Sequence, residues 1–320
     1  MSDALKKQYI KHVKSQTYKW VKKPKTKFRI ATYNIHYWTD VLEKGRLKQI
    51  MKDIKYIDAD VIVLQEVIFG IKYNVNGRTI NTEKVIELMH SMNYHTIFCN
   101  VLPTWFGGIY GNMMCVKKNY VDKMIDDHHV FTKSKHECIV SGNTIATKET
   151  RCYIILELFD YVIIGVHLDV CSEKERQKQL KYILKTLQHD MYKDKKIILL
   201  GDFNTTDIAQ QKDFIYSNYK DILYYVFNND TKLMSNNIMK ILHKNKFKSA
   251  TSKMKVTLTT WSGIQSDYIF TKFGSSTFDY RYMIYLILHL LFACFTASCI
   301  MSSIIENIFL HLYDFVLHIS

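Results

Sequence analysis

Proline and glycine are scarce in this chain, with Pro 2 and Gly 11 among 320 residues. No stretch is rich enough in either to mark a linker, and no internal repeat divides the chain. Acidic residues are also outnumbered: Lys+Arg 44 stand against Asp+Glu 30, a formal net charge of +14. That balance favours anionic partners, nucleic acid or an acidic membrane surface, although such steering confers no specificity. The 7 cysteines are odd in number and include no C-x-x-C pair. They read as reduced thiols of a cytosolic-type compartment, with no zinc site. No apolar leader opens the chain, because residues 1–27 are polar and basic, so no signal peptide is expected. Hydrophobic residues, at 48%, are ample for a core and exclude a disordered class.

The chain is organised around Lys196 to Asn204. Ile197, Ile198, Leu199 and Leu200 read as a short, fully buried strand. Gly201 follows, where the backbone can bend or come close to a ligand. Asp202 and Asn204 then stand two residues apart, on one side if the backbone stays extended. A carboxylate and an amide at a strand end suit a hard cation and a phosphate. The competing reading is a turn in which both side chains cap their own backbone.

Residues 1–27 carry Lys6, Lys7, Lys11, Lys14, Lys19, Lys22, Lys23, Lys25 and Lys27, with no acid after Asp3. They read as a basic extension, either solvated or an arm for phosphates or anionic lipid. Phe28 to Tyr33 alternates as a strand and ends at Asn34. Leu47, Ile50, Ile54 and Ile57 fall at helical spacing, and Val61 to Leu64 is a second buried strand ending at Gln65 and Glu66. This strand-helix-strand order predicts a βαβ unit, with Asn34 and Glu66 at one sheet edge. A helix over 82–92 and strands over 94–99 and 113–116 follow. Gly107 to Asn112 lacks the Lys-Ser/Thr sequel of a P-loop and reads as a turn. Residues 117–148, including His128 and His129, read as surface loop.

Cys152 to Leu158 and Tyr161 to Val166 form a predicted hairpin about Phe159 and Asp160, running into His167 and Asp169. A histidine at a strand end can bind a phosphoryl oxygen or protonate a leaving group, but is more often structural. A helix is predicted over Glu173 to Leu187 from its apolar stripe. Another is predicted over 214–227, and strands over 255–261 and 266–270.

Taken together these residues resemble the endonuclease/exonuclease/phosphatase superfamily of metal-dependent phosphodiesterases. The likeness rests on Thr32-Tyr33-Asn34-Ile35-His36 with Ala59 to Glu66, on His167-Leu168-Asp169 with Glu175, Arg176 and Gln179, on Gly201-Asp202-Phe203-Asn204, and on Asp267-Tyr268-Ile269-Phe270. The resemblance implies an α/β fold of two mixed β-sheets packed face to face with helices outside, a four-layer sandwich. It implies a hydrolase of phosphoric esters, a phosphodiesterase or nuclease acting by direct attack of water, with Mg²⁺ as cofactor and Mn²⁺ as a substitute. Glu66, with Asn34 and Asp202, would serve the metal. Asp202 would position or deprotonate water, Asn204 and His167 would hold the phosphoryl group, and Asp267 would support them. The basic balance tilts the substrate towards nucleic acid, and a monomer is expected.

The family's closing Ser-Asp-His motif is absent from the sequence, and Gln265-Ser266 precede Asp267 where a basic residue is usual. The alternative is therefore a catalytically impaired member that binds nucleic acid or phospholipid. The domain is expected over 28–280. The tail, 281–320, is uncharged from Tyr282 to Ile305 and includes His289. It is long enough for a membrane anchor over 282–305, with the domain on the cytoplasmic side. It reads alternatively as an altered terminus or as core.

Overall fold

A computed structural model describes residues 28–38, 45–69, 72–75, 78–81, 84–103, 108–131, 136–140, 143–147, 150–170, 172–207, 237–250, 265–273, 278–284 and 313–319. The first predicted unit forms, except that its second strand does not end at Glu66 but continues to Phe69. Strand β1 (Phe28–Asn34) leads into helix α1 (Leu47–Ile57) and then β2 (Val61–Phe69). Strands β1 and β2 are parallel, with Asn34 opposite Gln65. Asp58 closes α1 in the left-handed region, its N–H returning to Ile54 O, as helix C-caps require.

Two six-stranded sheets dominate the molecule. The first joins β1 and β2 to β6 (Ile109–Lys117) and β5 (Tyr94–Pro103), and on the other side to β16 (Tyr313–Ile319) and β15 (Phe278–Ile284). Helix α2 (Lys84–Ser91) precedes β5, and two short hairpins, β3 (Lys72–Val75) with β4 (Arg78–Asn81) and β8 (His136–Val140) with β9 (Asn143–Thr147), stand apart from the large sheets. The second sheet runs in the order β13 (Lys248–Ser249), β14 (Asp267–Lys272), β12 (Lys196–Asp202), β11 (Tyr161–His167), β10 (Cys152–Leu158) and β7 (Met124–Val130).

Strand alternation sorts the side chains into layers. Ala31, Tyr33, Ile62 and Leu64 pack against Ile50, Ile54 and Ile57 of α1 and Val85 and Met89 of α2. On the second sheet, Ile155, Ile164 and Leu199 pack under Leu180 and Ile183 of α3 (Glu173–Thr186) and Ile238 and Leu242 of α4 (Asn237–Lys244). The alternate residues, among them Val63 and Ile163, are fully buried between the sheets. The sheets approach closely: a Cβ on Gly165 would lie 2.6 Å from Val63 Cγ1. The α/β sandwich expected from the sequence is the fold observed.

Several local expectations are corrected. Residues 109–112 are not a turn but the first half of β6, where Asn100 faces Gly111. Residues 117–148 are not a surface loop. They contain a short helical turn and three strands, and His128 and His129 pair with Ile154 and Tyr153 at the edge of the second sheet. Polar composition hid β7 because an edge strand needs only one buried face. Helix α4 was not foreseen. The helix predicted over 214–227, the strand over 255–261, the basic extension 1–27 and His289 lie outside the described residues.

Both ends of the apolar tail belong to the first sheet: β15 pairs with β16, and β16 pairs antiparallel with β1, Thr32 opposite Phe315. Among the described residues no helix is long and apolar enough to cross a membrane. Most of the run 282–305 lies outside those residues.

Candidate active site

The carboxyl ends of the parallel pairs β1–β2 and β11–β12 converge on one crevice between the sheets, where open α/β sheets place ligands. At three of the strands the backbone departs from regular geometry at or just beyond the site residue. In β2 the register shifts between Leu64 and Val67, and Glu66 takes a φ of 58°. A bulge of this kind re-aims a side chain that simple alternation would send into a core. After Asn34 the backbone turns through left-handed residues His36, Tyr37 and Trp38, at φ 43°, 57° and 63°. Such conformations cost energy in non-glycine residues. Burial of Trp38 and its indole bond to Ile68 O, at 2.8 Å, hold the turn in place.

In β12, Gly201 adopts φ 140°, and a Cβ there would sit 1.9 Å from Val166 O. Asp202 ends the strand, level with His167 in β11 and with Asp267 in β14. Of the two backbone arrangements open in the sequence, the stretch Asp202–Asn204 takes the turn, since Asn204 has a φ of 46°. Its N–H donates to Asp202 Oδ1 at 2.8 Å, and its Nδ2 donates to Leu168 O at 3.0 Å. The turn forms on Oδ1 of Asp202 and leaves Oδ2 facing Asn34 in the crevice.

Asn34 Nδ2 donates to Glu66 Oε1 and to Asp202 Oδ2, each at 3.0 Å. The Asn34 carbonyl accepts from His36 N at 3.1 Å, so the amide presents nitrogen, not oxygen, to the carboxylates. His167 Nε2 stands 4.0 Å from Glu66 Oε1 and 3.9 Å from Asp202 Oδ2. Burial pushes the Glu66 carboxyl above its ordinary range, opposed by His36, Asn34 and Arg151 and reinforced by the Asp202 charge. Burial also raises Asp202, against the pull of Asn204 N–H, Asn34, Arg151 and Ser266.

Arg151 is the site residue that sequence reading missed. It is buried, and its Nη1 lies 2.9 Å from His167 Nδ1 and donates to Tyr110 OH at 2.9 Å. A guanidinium has no acceptor, so Nδ1 must accept and the imidazole proton belongs on Nε2, facing the carboxylates. Burial, then the Arg151 charge, holds His167 well below the usual histidine range. The signal was present: in the hairpin register Tyr153 faces Val166, which brings Arg151 beside the end of β11.

Asp267, level with Asp202, accepts from Ser266 Oγ at 3.2 Å. Asp169 serves the loop after His167: its Oδ1 accepts from Ser172 N at 2.6 Å, its N–H donates to Gln179 Oε1, and Arg176 donates to its carbonyl. No group of three or more His, Cys, Asp or Glu among the described residues forms a ready cage for an ion. A cation that keeps most of its own waters needs no such cage.

The same architecture occurs in solved structures of low sequence identity. The human Nocturnin catalytic domain with bound sulfate matches at TM-score 0.51 and 14% identity, over 92% of this chain and 93% of that one. ANGEL2, a 2′,3′-cyclic phosphatase, matches at 0.52 and 17%, over 91% and 95%. Truncated TDP2 of Caenorhabditis elegans matches at 0.50 and 12%, over 92% and 97%. At these identities the likeness is one of fold. No curated protein matches by sequence. The model of the Endonuclease/Exonuclease/phosphatase family matches residues 31–282, a stretch that includes every strand end converging on the crevice, and the chain belongs to that family.

Proposed function

We propose that this chain is a divalent-metal-dependent hydrolase of phosphoric esters, acting by direct attack of water on a nucleic-acid phosphodiester. The observation that carries this reading is the meeting of Glu66 and Asp202, from different sheets, on the single nitrogen of Asn34. Two carboxylates this close, Asp202 buried and Glu66 partly so, both with raised pKa, are stabilised by a hard cation and destabilised by each other. An oxygen donor set with few protein members fits Mg²⁺, with Mn²⁺ as a substitute. Glu66 would hold the ion with Asp202 beside it, while Asn34 orients the pair. When bound, the ion polarises a phosphoryl oxygen and stabilises the leaving oxygen.

The remaining work falls to the chain's own groups. Asp202 is fixed at both oxygens, by Asn204 N–H and by Asn34. It can therefore orient a water, and its raised pKa makes it the stronger base. His167, neutral with its proton on Nε2, donates to a phosphoryl oxygen as charge develops there. Asn204 uses one amide proton on Leu168 O and keeps the second for the phosphate. The net charge of +14 supports a polyanionic substrate, and the likeness to a 2′,3′-cyclic phosphatase supports a phosphoric ester.

A second reading, binding without turnover, is favoured by the absence of a Ser-Asp-His motif from the sequence. One experiment separates them: turnover of DNA, RNA, phosphomonoesters and phospholipids in Mg²⁺ and in EDTA, with Asp202→Ala as control. Metal-dependent cleavage of DNA or RNA that Asp202→Ala abolishes supports the hydrolase. Tight binding with no cleavage of any substrate supports the second reading.

A further inference from the structure

At the opposite end of the same strands lies a cleft of about 890 Å³ between α1 and α2. Strand β1 runs from Arg29, which lines the cleft, to Asn34 in the crevice. By strand rise the two sites are about 16 Å apart along the backbone.

The cleft has a cationic wall and an apolar floor. Lys48, Lys52 and Lys55 line it from α1, all exposed and spaced to fall on one helical stripe. That row is about 10 Å long at the helical rise. Among the described residues none of the three has a carboxylate partner within ion-pair distance. The acid that lines the cleft, Asp58, is already matched by Lys117, whose Nζ lies 2.9 Å away. Lys117 also donates to Met92 O at 3.0 Å and sits 4.0 Å above the Tyr94 ring, so it braces the cleft and stays in place. Met51, Met92 and Leu88 supply the floor, and Tyr56 stands at the rim, 49% exposed. The basic segment 1–27, with Lys22, Lys23, Lys25 and Lys27 at its end, joins the domain at Phe28, next to Arg29.

We propose that this cleft binds a single-stranded segment of nucleic acid, away from the catalytic edge. A row of lysines without ion-pair partners follows successive phosphates, and a half-exposed tyrosine ring at a cleft with apolar side chains gives a base a face to stack on. The pairing of Asp58 with Lys117 matters here, because it removes the repulsion that a free carboxylate would exert on the backbone phosphates. The site needs no metal and no turnover, so it stands whether or not the chain is a hydrolase.

The test uses the full chain in EDTA, with a short fluorescein-labelled oligo(dT) followed by anisotropy across a salt series. Lys48→Glu/Lys52→Glu/Lys55→Glu is expected to weaken binding at least roughly tenfold at low salt, and to lower the log–log salt slope by about 2, as loss of three phosphate contacts predicts. Tyr56→Ala is expected to weaken binding roughly fivefold or more with the slope unchanged, since stacking is not electrostatic. Tyr56→Ala should keep the wild-type melting temperature, because its side chain is half exposed, whereas the triple variant should melt slightly lower, since it removes the Lys52 charge that offsets the buried Asp53 carboxyl. Unchanged oligonucleotide binding in a folded triple variant would overturn the proposal and assign the affinity to residues 1–27 or to the crevice. Loss of binding to phosphatidylserine vesicles without loss of oligonucleotide binding would overturn it in favour of a lipid surface. If the triple variant does not fold, the Tyr56→Ala result decides alone.

Discussion

Asn34 and Asp202 are separated by 168 residues in sequence and joined by a hydrogen bond of 3.0 Å between Nδ2 and Oδ2. Each ends a strand of a different sheet, so this bond closes the sandwich at the crevice and sets the spacing of its carboxylates. Asn34 also bonds Glu66 at 3.0 Å, so one amide nitrogen holds both acids while His167 Nε2 stands 4.0 and 3.9 Å from them.

Removing that bridge should damage turnover far more than folding. Asn34→Ala is expected to lower kcat by about 10²-fold or more, the scale for losing one preorganised donor. Its melting temperature should stay close to wild type, as Asn34 is only partly buried. Steady-state kinetics beside thermal unfolding check this. A large melting loss with proportionate loss of activity would make Asn34 structural.

Metal binding should be readable without any substrate. If Glu66 holds the ion, Mg²⁺ stabilises the wild type by about 2.7 kcal/mol when it exceeds its Kd a hundredfold. Glu66→Gln should lose this Mg²⁺-dependent shift while keeping its metal-free melting temperature, or raising it, because a buried carboxyl with a raised pKa is removed. Differential scanning calorimetry with and without Mg²⁺ gives the answer.

Arg151 should act through His167. In the wild type, ¹⁵N-resolved NMR is expected to show the His167 ring protonated on Nε2 alone, as the Arg151 contact to Nδ1 at 2.9 Å requires. Arg151→Met should release both tautomers and lower kcat roughly tenfold to a hundredfold, the range for outer-shell positioning partners. A wild-type ring protonated on Nδ1 would reverse the assignment.

The backbone at Gly201 leaves no room for a side chain. Gly201→Ala places a Cβ 1.9 Å from Val166 O at a φ of 140°. The strand pair β11–β12 must then separate next to His167 and Asp202, a loss of at least about 2 kcal/mol. Urea unfolding should show a lower midpoint, with activity lost as well.

Asp53 gives a pH signature remote from the crevice. Burial raises its pKa from 3.8 to about 6, partly offset by the hydrogen bond from Gln49 and the charge of Lys52. The folded state therefore favours the protonated acid. The stability this confers is full below pH 3.8 and is lost as pH rises through about 6. At about 1.36 kcal/mol per pKa unit the loss approaches about 3 kcal/mol. Asp53→Asn should match the wild type in acid and exceed it at neutral pH, as measured by urea midpoints across that range.

The sequence by itself determined the elements whose burial is regular and whose partners are near. Ile50, Ile54 and Ile57 mark α1, Leu180 and Ile183 mark α3, and four aliphatic residues in a row mark β12, because a buried face imposes its period on the chain. It also placed Asn34, His167 and Asp202 at strand ends, since each closes an apolar run, whereas Glu66, read as a strand end, lies inside β2. Tertiary structure decided the rest. The bulge that turns Glu66 out of β2 depends on pairing with β6, a partner that periodicity cannot name. The strands at 109–112 and 124–130 carry polar residues whose place becomes sensible only at their positions beside β5 and β10. Arg151 looks like any charge before a strand until the hairpin folds back on His167. The bond from Asn34 to Asp202 exists only because two sheets pack at the distance that Gly165 and Val63 allow, and such a distance is a property of the assembled layers rather than of either segment.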